Sequence, residues 1–280
     1  AQAFSAAAYD SYSNLVADSG FTWSTDIGSV DASGIFTAPP VPGSGNVTAT
    51  IGAVSGSAGV LVVIGPVHHI SVTPNPATAA VGTSMAFSAV AYDQFNNVVP
   101  GVDFIWTTNS GTIDPSGMFT AQTTPKAGTV TARNNTVTGS ASVTVVPGPV
   151  ASITVLPATV VLATGAAQAF AATGYDGYGN AIPGMSFAWA TNVGSVTQSG
   201  AFTAQTTPGS GIVTATNGTV TGTANVQVNV GPVHHIAVSP NPTTVTVTQT
   251  RQFTAHAYDL YNNEVTGVIF IWTSNVGVVN

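Results

Sequence analysis

Phe104-Ile105-Trp106-Thr107 sets two large aromatic side chains two residues apart, and so on one face of an extended strand. The spacing returns in Phe21-Thr22-Trp23, Phe187-Ala188-Trp189 and Phe270-Ile271-Trp272, at a constant step of 83 residues. Outward from this stretch the register holds: Asp10, Asp93, Asp176 and Asp259 share the step, as do Gly65, Gly148 and Gly231. Such a period exceeds the ~20–50 residues of a solenoid unit and suits one small independent domain. The 280-residue chain therefore divides into an N-terminally truncated unit at 1–64, full units at 65–147 and 148–230, and a C-terminally truncated unit at 231–280. Ala1 corresponds to Ser84 and Asn280 to Asp114, both inside a unit, so the sequence reads as a window on a longer chain.

One full unit reads as about seven short strands. His69–Thr73 and residues 78–81 form a first strand broken by Pro74-Asn75-Pro76, as expected of an edge strand that switches sheets. Residues 84–92 alternate, with Phe87, Ala89 and Ala91 on one face. The turn Asp93-Gln94-Phe95-Asn96-Asn97 follows, and then the Phe104/Trp106 strand. Ser116-Gly117-Met118-Phe119 marks a second turn, and residues 130–132 and 139–146 close the unit with clean alternation. Seven strands with turn signals every 8–12 residues predict an all-β sandwich. Phe4, Phe87, Phe170 and Phe253, the Phe21/Phe104/Phe187/Phe270 set, Phe36/Phe119/Phe202 and the four tryptophans are its expected core.

Composition excludes several functions. Charged residues make up 5% of the chain against ~25% in an ordinary globular protein, and the net charge is −7. Only Lys126, Arg133 and Arg251 are strong cations, so neither nucleic acid nor an anionic membrane finds its electrostatic partner. There is no cysteine for disulfides or thiolate metal sites. Apolar runs such as residues 60–64 fall far short of the ~18 needed for a membrane span. With one lysine, lysine–asparagine crosslinks cannot recur in every unit.

The succession Pro74-x-Pro76, Ala91-Tyr92-Asp93, Phe104-x-Trp106, Gly117-x-Phe119-Thr120-Ala121, Val130-Thr131-Ala132 and Gly139-x-Ala141-x-Val143 resembles the bacterial and archaeal immunoglobulin-like (BIG) repeats. These occur in invasin- and intimin-type adhesin stalks and in surface-layer proteins. The resemblance covers the whole chain and implies tandem Ig-like sandwiches, mostly acting as spacers. The third unit departs from it: Ala158 and Thr159 replace Asn75 and Pro76, which predicts a straighter edge strand there.

The joints Gly65-Pro66-Val67, Gly148-Pro149-Val150 and Gly231-Pro232-Val233 are short and proline-containing, unlike flexible linkers. They predict a semi-rigid, extended rod that gains roughly 35–40 Å per domain. His68, His69, His234 and His235 follow two of these joints and are expected to contact a neighbouring domain or chain. Adjacent strand residues face opposite ways, which argues against their chelating one metal. Tyr12, Phe95, Tyr178 and Tyr261, on the turn after each aspartate, are expected to pack between domains.

No catalytic constellation and no cofactor motif stand out, and no enzyme activity is expected. Asp93 with Asn97, Asp176 with Asn180 and Asp259 with Asn263 offer oxygen ligands on a tight turn, a weak Ca²⁺ candidate. One carboxylate per turn favours an Asx-capped hairpin instead. Asn46, Asn134 and Asn217 begin glycosylation sequons. Such triplets also arise by chance in a threonine-rich chain. Glycans would solvate so weakly charged a surface, although a low-pH habitat would suit that composition too. Together these features predict an extracellular structural stalk or filament at the cell surface. It would self-associate into a filament or layer, with strand complementation as one route. The alternative is an adhesin whose repeats or tip bind a glycan or receptor.

Overall fold

The computed structural model describes residues 1–17 and 20–279; Asn280, which marks the C-terminal truncation in the register above, lies outside them. Among the described residues every regular element is a strand. The chain forms two compact units, Ala1–Val146 and Pro147–Asn280.

In the first unit, residues 69–146 make a complete sandwich. The first strand, His69–Thr73, pairs antiparallel with Ser88–Tyr92 in one sheet. After Pro74-Asn75-Pro76 its continuation, Ala77–Ala80, pairs parallel with Val143–Val146 in the other. The second strand is itself split into Ser84–Ala86 and Ser88–Tyr92, and its first half continues its sheet to Met118–Ala121 and Gly111–Ile113. The opposing sheet runs Ala77–Ala80, Val137–Val146, Lys126–Asn134, Ile105–Thr108. Counted in chain order, strands one, two, five and four thus face strands seven, six and three, with strand one contributing to both sheets. This is the strand order of an immunoglobulin-like sandwich. Residues 150–229 of the second unit repeat it strand for strand.

Proline explains the sheet switch in the second repeat, since Pro74 and Pro76 supply no ladder donor. Asn75 fills the gap they leave. Its Oδ1 accepts from Ser142 N at 3.0 Å and Ser142 Oγ at 3.1 Å. The third repeat corrects the expectation of a straighter strand. Val150–Leu156 and Thr159–Ala163 still belong to different sheets. There the backbone carbonyl of Ala158 accepts from Asn225 N at 2.9 Å, serving the donor that Asn75 serves through its side chain. Pro157 alone suffices for the break.

Each core centres on two phenylalanines. Phe87 and Phe119 meet edge to face with centroids 5.9 Å apart, and Phe170 and Phe202 do so at 5.8 Å. Both pairs are buried, and such geometry adds about 0.5–1.5 kcal/mol to the gain from area alone. Phe104 and Trp106 are only partly buried and pack against the margin of this cluster, as Phe187 and Trp189 do in the next. Gly117 shapes that margin. It has φ +85°, and a Cβ there would stand 2.4 Å from the Phe87 carbonyl oxygen and 3.2 Å from the Trp106 ring.

Residues 2–62 keep strands two to seven of the pattern, including the Trp23–Ala49 and Val47–Ala58 pairings. The last repeat has His235–Ser239 paired with Thr254–Tyr258, which also pairs with Glu264–Val265. The strand expected around Phe270-Ile271-Trp272 does not form, and Ile271 is 93% exposed. In the complete sandwich that strand pairs with Lys126–Asn134, whose counterpart would lie beyond residue 280.

Candidate inter-domain joint

The turn after each second strand is built around an aspartate. Asp93 N donates to the Asn97 carbonyl at 3.0 Å, and Asn96 takes φ 65°, a left-handed conformation that asparagine tolerates. The carboxylate then gathers donors from its own turn and from the joint. Asp93 Oδ1 accepts from Phe95 N at 2.8 Å and Asn97 N at 2.9 Å. Oδ2 accepts from Asn97 Nδ2 at 2.9 Å and from Gly65 N, in the joint itself, at 3.2 Å. Asn97 Nδ2 also donates to the carbonyl of Pro40, in the preceding sandwich, at 2.7 Å.

The second unit repeats the device. Asp176 accepts from Gly148 N, Tyr178 N and Asn180 N, each at 2.9 Å, and from Asn180 Nδ2 at 3.0 Å. Asp259 accepts from Gly231 N at 3.0 Å, from Tyr261 N and Asn263 N at 2.9 Å, and from Asn263 Nδ2 at 2.9 Å. Thr164 Oγ1 of the preceding sandwich adds a fifth donor at 2.8 Å. Asn263 Nδ2 donates back to Thr206 O at 2.7 Å, spanning the 57 residues that also separate Asn97 from Pro40. Gly165, at φ +72°, forms a seat for Tyr261: a Cβ there would lie 2.1 Å from the tyrosine hydroxyl.

These aspartates are buried yet ionised. The side-chain amide of Asn97, aided by the backbone amides, lowers the Asp93 carboxyl to about 2. At Asp176 burial pushes upward, but the Asn180 side chain and the Gly148, Asn180 and Tyr178 amides outweigh it and hold the group at about 2. Burial opposes ionisation at Asp259 too, and its donors still keep it below the ordinary carboxylate range. Asp10, which is exposed, makes the same turn with Tyr12 N and Asn14.

The three Asp–Asn pairs weighed as Ca²⁺ ligands are therefore the joint aspartates themselves, and N–H donors surround their oxygens. Among the described residues no three histidines, aspartates or glutamates converge as a metal-binding group. His69 stacks on Tyr92 of its own sandwich at 5.0 Å, and His235 stacks on Tyr258 at 5.3 Å. His68 lies on a concave joint face with Pro39, Pro40, Pro42, Pro66 and Phe95, and His234 N donates to the Tyr258 carbonyl at 2.7 Å. Of the sequon asparagines, Asn46 is exposed on strand Gly43–Ile51. Asn134 Nδ2 donates to Asp103 O and Asn217 Nδ2 to Ser186 O, both at 3.0 Å, so each ties a strand to the loop before strand three.

No family model and no curated protein matches this sequence. Among solved structures the chain is similar to the Escherichia coli adhesin FdeC, at 24% identity over 73% of this chain and 78% of that one, with a TM-score of 0.47. It is also similar to invasin, a bacterial integrin-binding protein, at 18% identity over 83% and 57% of the two chains, with a TM-score of 0.45. The surface-layer protein SbsC is 22% identical over 92% of this chain, which spans 41% of the SbsC chain, with a TM-score of 0.33. The fold assignment rests on the strand order described above, not on these likenesses.

Sequence reasoning named the glycine and aspartate columns but did not join them. Gly65 and Asp93 are 28 residues apart, and the signal was their recurrence at one period.

Proposed function

We propose that the chain is a length of extracellular structural stalk or filament, in which the four segments 1–64, 65–147, 148–230 and 231–280 act as spacers at the cell surface. The supporting observation is the repeated lock: Asn97 on Pro40 and Asn263 on Thr206 make the same reach into the preceding sandwich, at the same 2.7 Å. A spacer needs one joint used many times, whereas an enzyme or a tip needs a feature that occurs once. Polymerisation into a filament or surface layer through open sheet edges belongs to this reading. Antibodies raised against the 280-residue chain should decorate intact cells of the source organism. Labelling that appears only after lysis would sink the proposal.

One observation favours the adhesin alternative. Pro39-Pro40-Val41-Pro42 stands where the later repeats have Gln122-Thr123-Thr124-Pro125 and Gln205-Thr206-Thr207-Pro208, which makes the proline-lined face beside Phe95 and His68 particular to the first joint. A glycan array probed with the whole chain tests it. Binding that is lost on Phe95→Ala would support a binding role.

A further inference from the structure

We infer that each complete sandwich carries a tensile clamp. Pulled end to end, it is held shut by the parallel ladder between the second half of its first strand and the end of its last. This goes beyond the spacer reading, which needs length alone, and rests on it only for the source of the tension.

The strand order dictates the load path. In the second repeat the chain enters along His69–Thr73 and continues the same way as Ala77–Ala80, so residues 69–80 span roughly 35–40 Å at ~3.3 Å per residue. It leaves from Val146, the partner of Ala80, at the far end of the sandwich. Because Ala77–Ala80 runs parallel to residues 143–146, tension drawn in at His69 and out at Val146 pulls the two strands past each other lengthwise. Every bond of that ladder then bears load at once. An antiparallel hairpin pulled from its two open ends loses its bonds one at a time. The last strand is also paired along its other edge, from Lys126 on Val145 to Asn134 on Val137, so sliding it out breaks that ladder too.

Burial and two end contacts fasten the clamp. Ala77, Ala79, Val81, Val143 and Val145 are buried, which keeps water from replacing the ladder bonds until the strands have slid. Val81 N donates to the Val146 carbonyl at 2.9 Å and closes one end. Asn75 Oδ1, accepting from Ser142 N and Ser142 Oγ, closes the other. The third repeat makes the same clamp with different fasteners. Thr159–Ala163 runs parallel to residues 225–229. Thr164 N donates to the Asn229 carbonyl and Asn225 N to the Ala158 carbonyl, both at 2.9 Å. No cysteine is present to supply a disulfide stop, so resistance to tension falls on these bonds.

The test is single-molecule force spectroscopy of the intact 280-residue chain, tethered by its two ends. Each complete sandwich should open in a step of about 250 Å, an 83-residue unit drawn out at ~3.3–3.6 Å per residue less its folded length. Forced opening is governed by the unfolding rate, so a fastener is read as a change in that rate. Asn75→Ala should speed one of the two steps about tenfold, the scale of its lost hydrogen bonds, and leave the other unchanged. Asn134→Ala removes a tie of similar strength away from the clamp and should leave both steps as they are. Because the chain lacks cysteine, Thr83→Cys gives a unique attachment beside Val146, at the same end of the ladder. Pulled from there against the C-terminus, the second sandwich is peeled instead of sheared, and its step should leave the high-force group. Equal acceleration by Asn75→Ala and Asn134→Ala, no acceleration by Asn75→Ala, or an undiminished force from Thr83→Cys overturns the clamp. Each of those results leaves the labelling of intact cells, and with it the stalk reading, untouched.

Discussion

Thr164 Oγ1 donates to Asp259 Oδ2 across 2.8 Å, joining two residues 95 positions apart on opposite sides of a joint. The corresponding residue in the second repeat is Val81, so valine suits the backbone at this position. Thr164→Val should leave both sandwiches folded and loosen the joint between them. Amide exchange at Gly231 and Tyr261 should then quicken about fivefold to tenfold, the scale of one lost hydrogen bond. Unchanged exchange would mean that the threonine adds nothing to the lock.

Acid should unlock the joints late. Asp93 and Asp176 sit at about 2 in the folded chain against an ordinary 3.8. A depressed carboxyl contributes stability that is fully present above its unfolded value and is lost as pH falls through its folded value. The thermal midpoint should therefore hold down to about pH 4 and decline between about 4 and 2. Asp93→Asn should flatten the decline within that window.

Calcium should leave the thermal midpoint unmoved. A cation at Asp93 would have to displace donors from Phe95, Asn97 and Gly65, and each turn offers a single carboxylate where Ca²⁺ takes six to eight oxygens. A concentration-dependent rise on titration would overturn the capped-turn assignment.

Phe119 has no solvent exposure and closes on Phe87. Phe119→Ala should cost about 3–5 kcal/mol in denaturant unfolding of its sandwich. Trp106→Ala, at the margin of the same cluster, should cost less despite the larger side chain.

Asn134→Ala and Asn217→Ala should each destabilise their sandwich by about 1 kcal/mol, because each amide holds a loop carbonyl. Intact mass of native material bears on the same positions. A mass equal to the bare sequence removes the glycan proposal at all three sequons.

Much of the fold was legible because the sequence states it repeatedly. Alternation in residues 84–92, the proline break at 74–76 and the seven-strand spacing specified a two-sheet sandwich. What escaped were features made by the backbone. The third repeat switches sheets without Asn75 because the Ala158 carbonyl does the same work, and no side-chain pattern records a carbonyl. The Phe104/Trp106 pair announced the strand but not its depth. Depth depends on how closely Gly117 and Phe87 approach, which only packing decides. The joint was half visible, in that the Asp–Asn turn could be read while its grip on Gly65 and Pro40 could not.

Most donors to the joint aspartates are main-chain amides. Gly65, Phe95 and Asn97 supply them at Asp93, and Gly231, Tyr261 and Asn263 supply them at Asp259. The carboxylate takes only the N–H of phenylalanine or tyrosine there, so either residue completes its set of donors. Loss or gain of one whole period by unequal recombination in the gene would thus leave every remaining joint chemically complete. The length of such an array becomes a heritable variable, free to drift or be selected without any contact having to be reinvented.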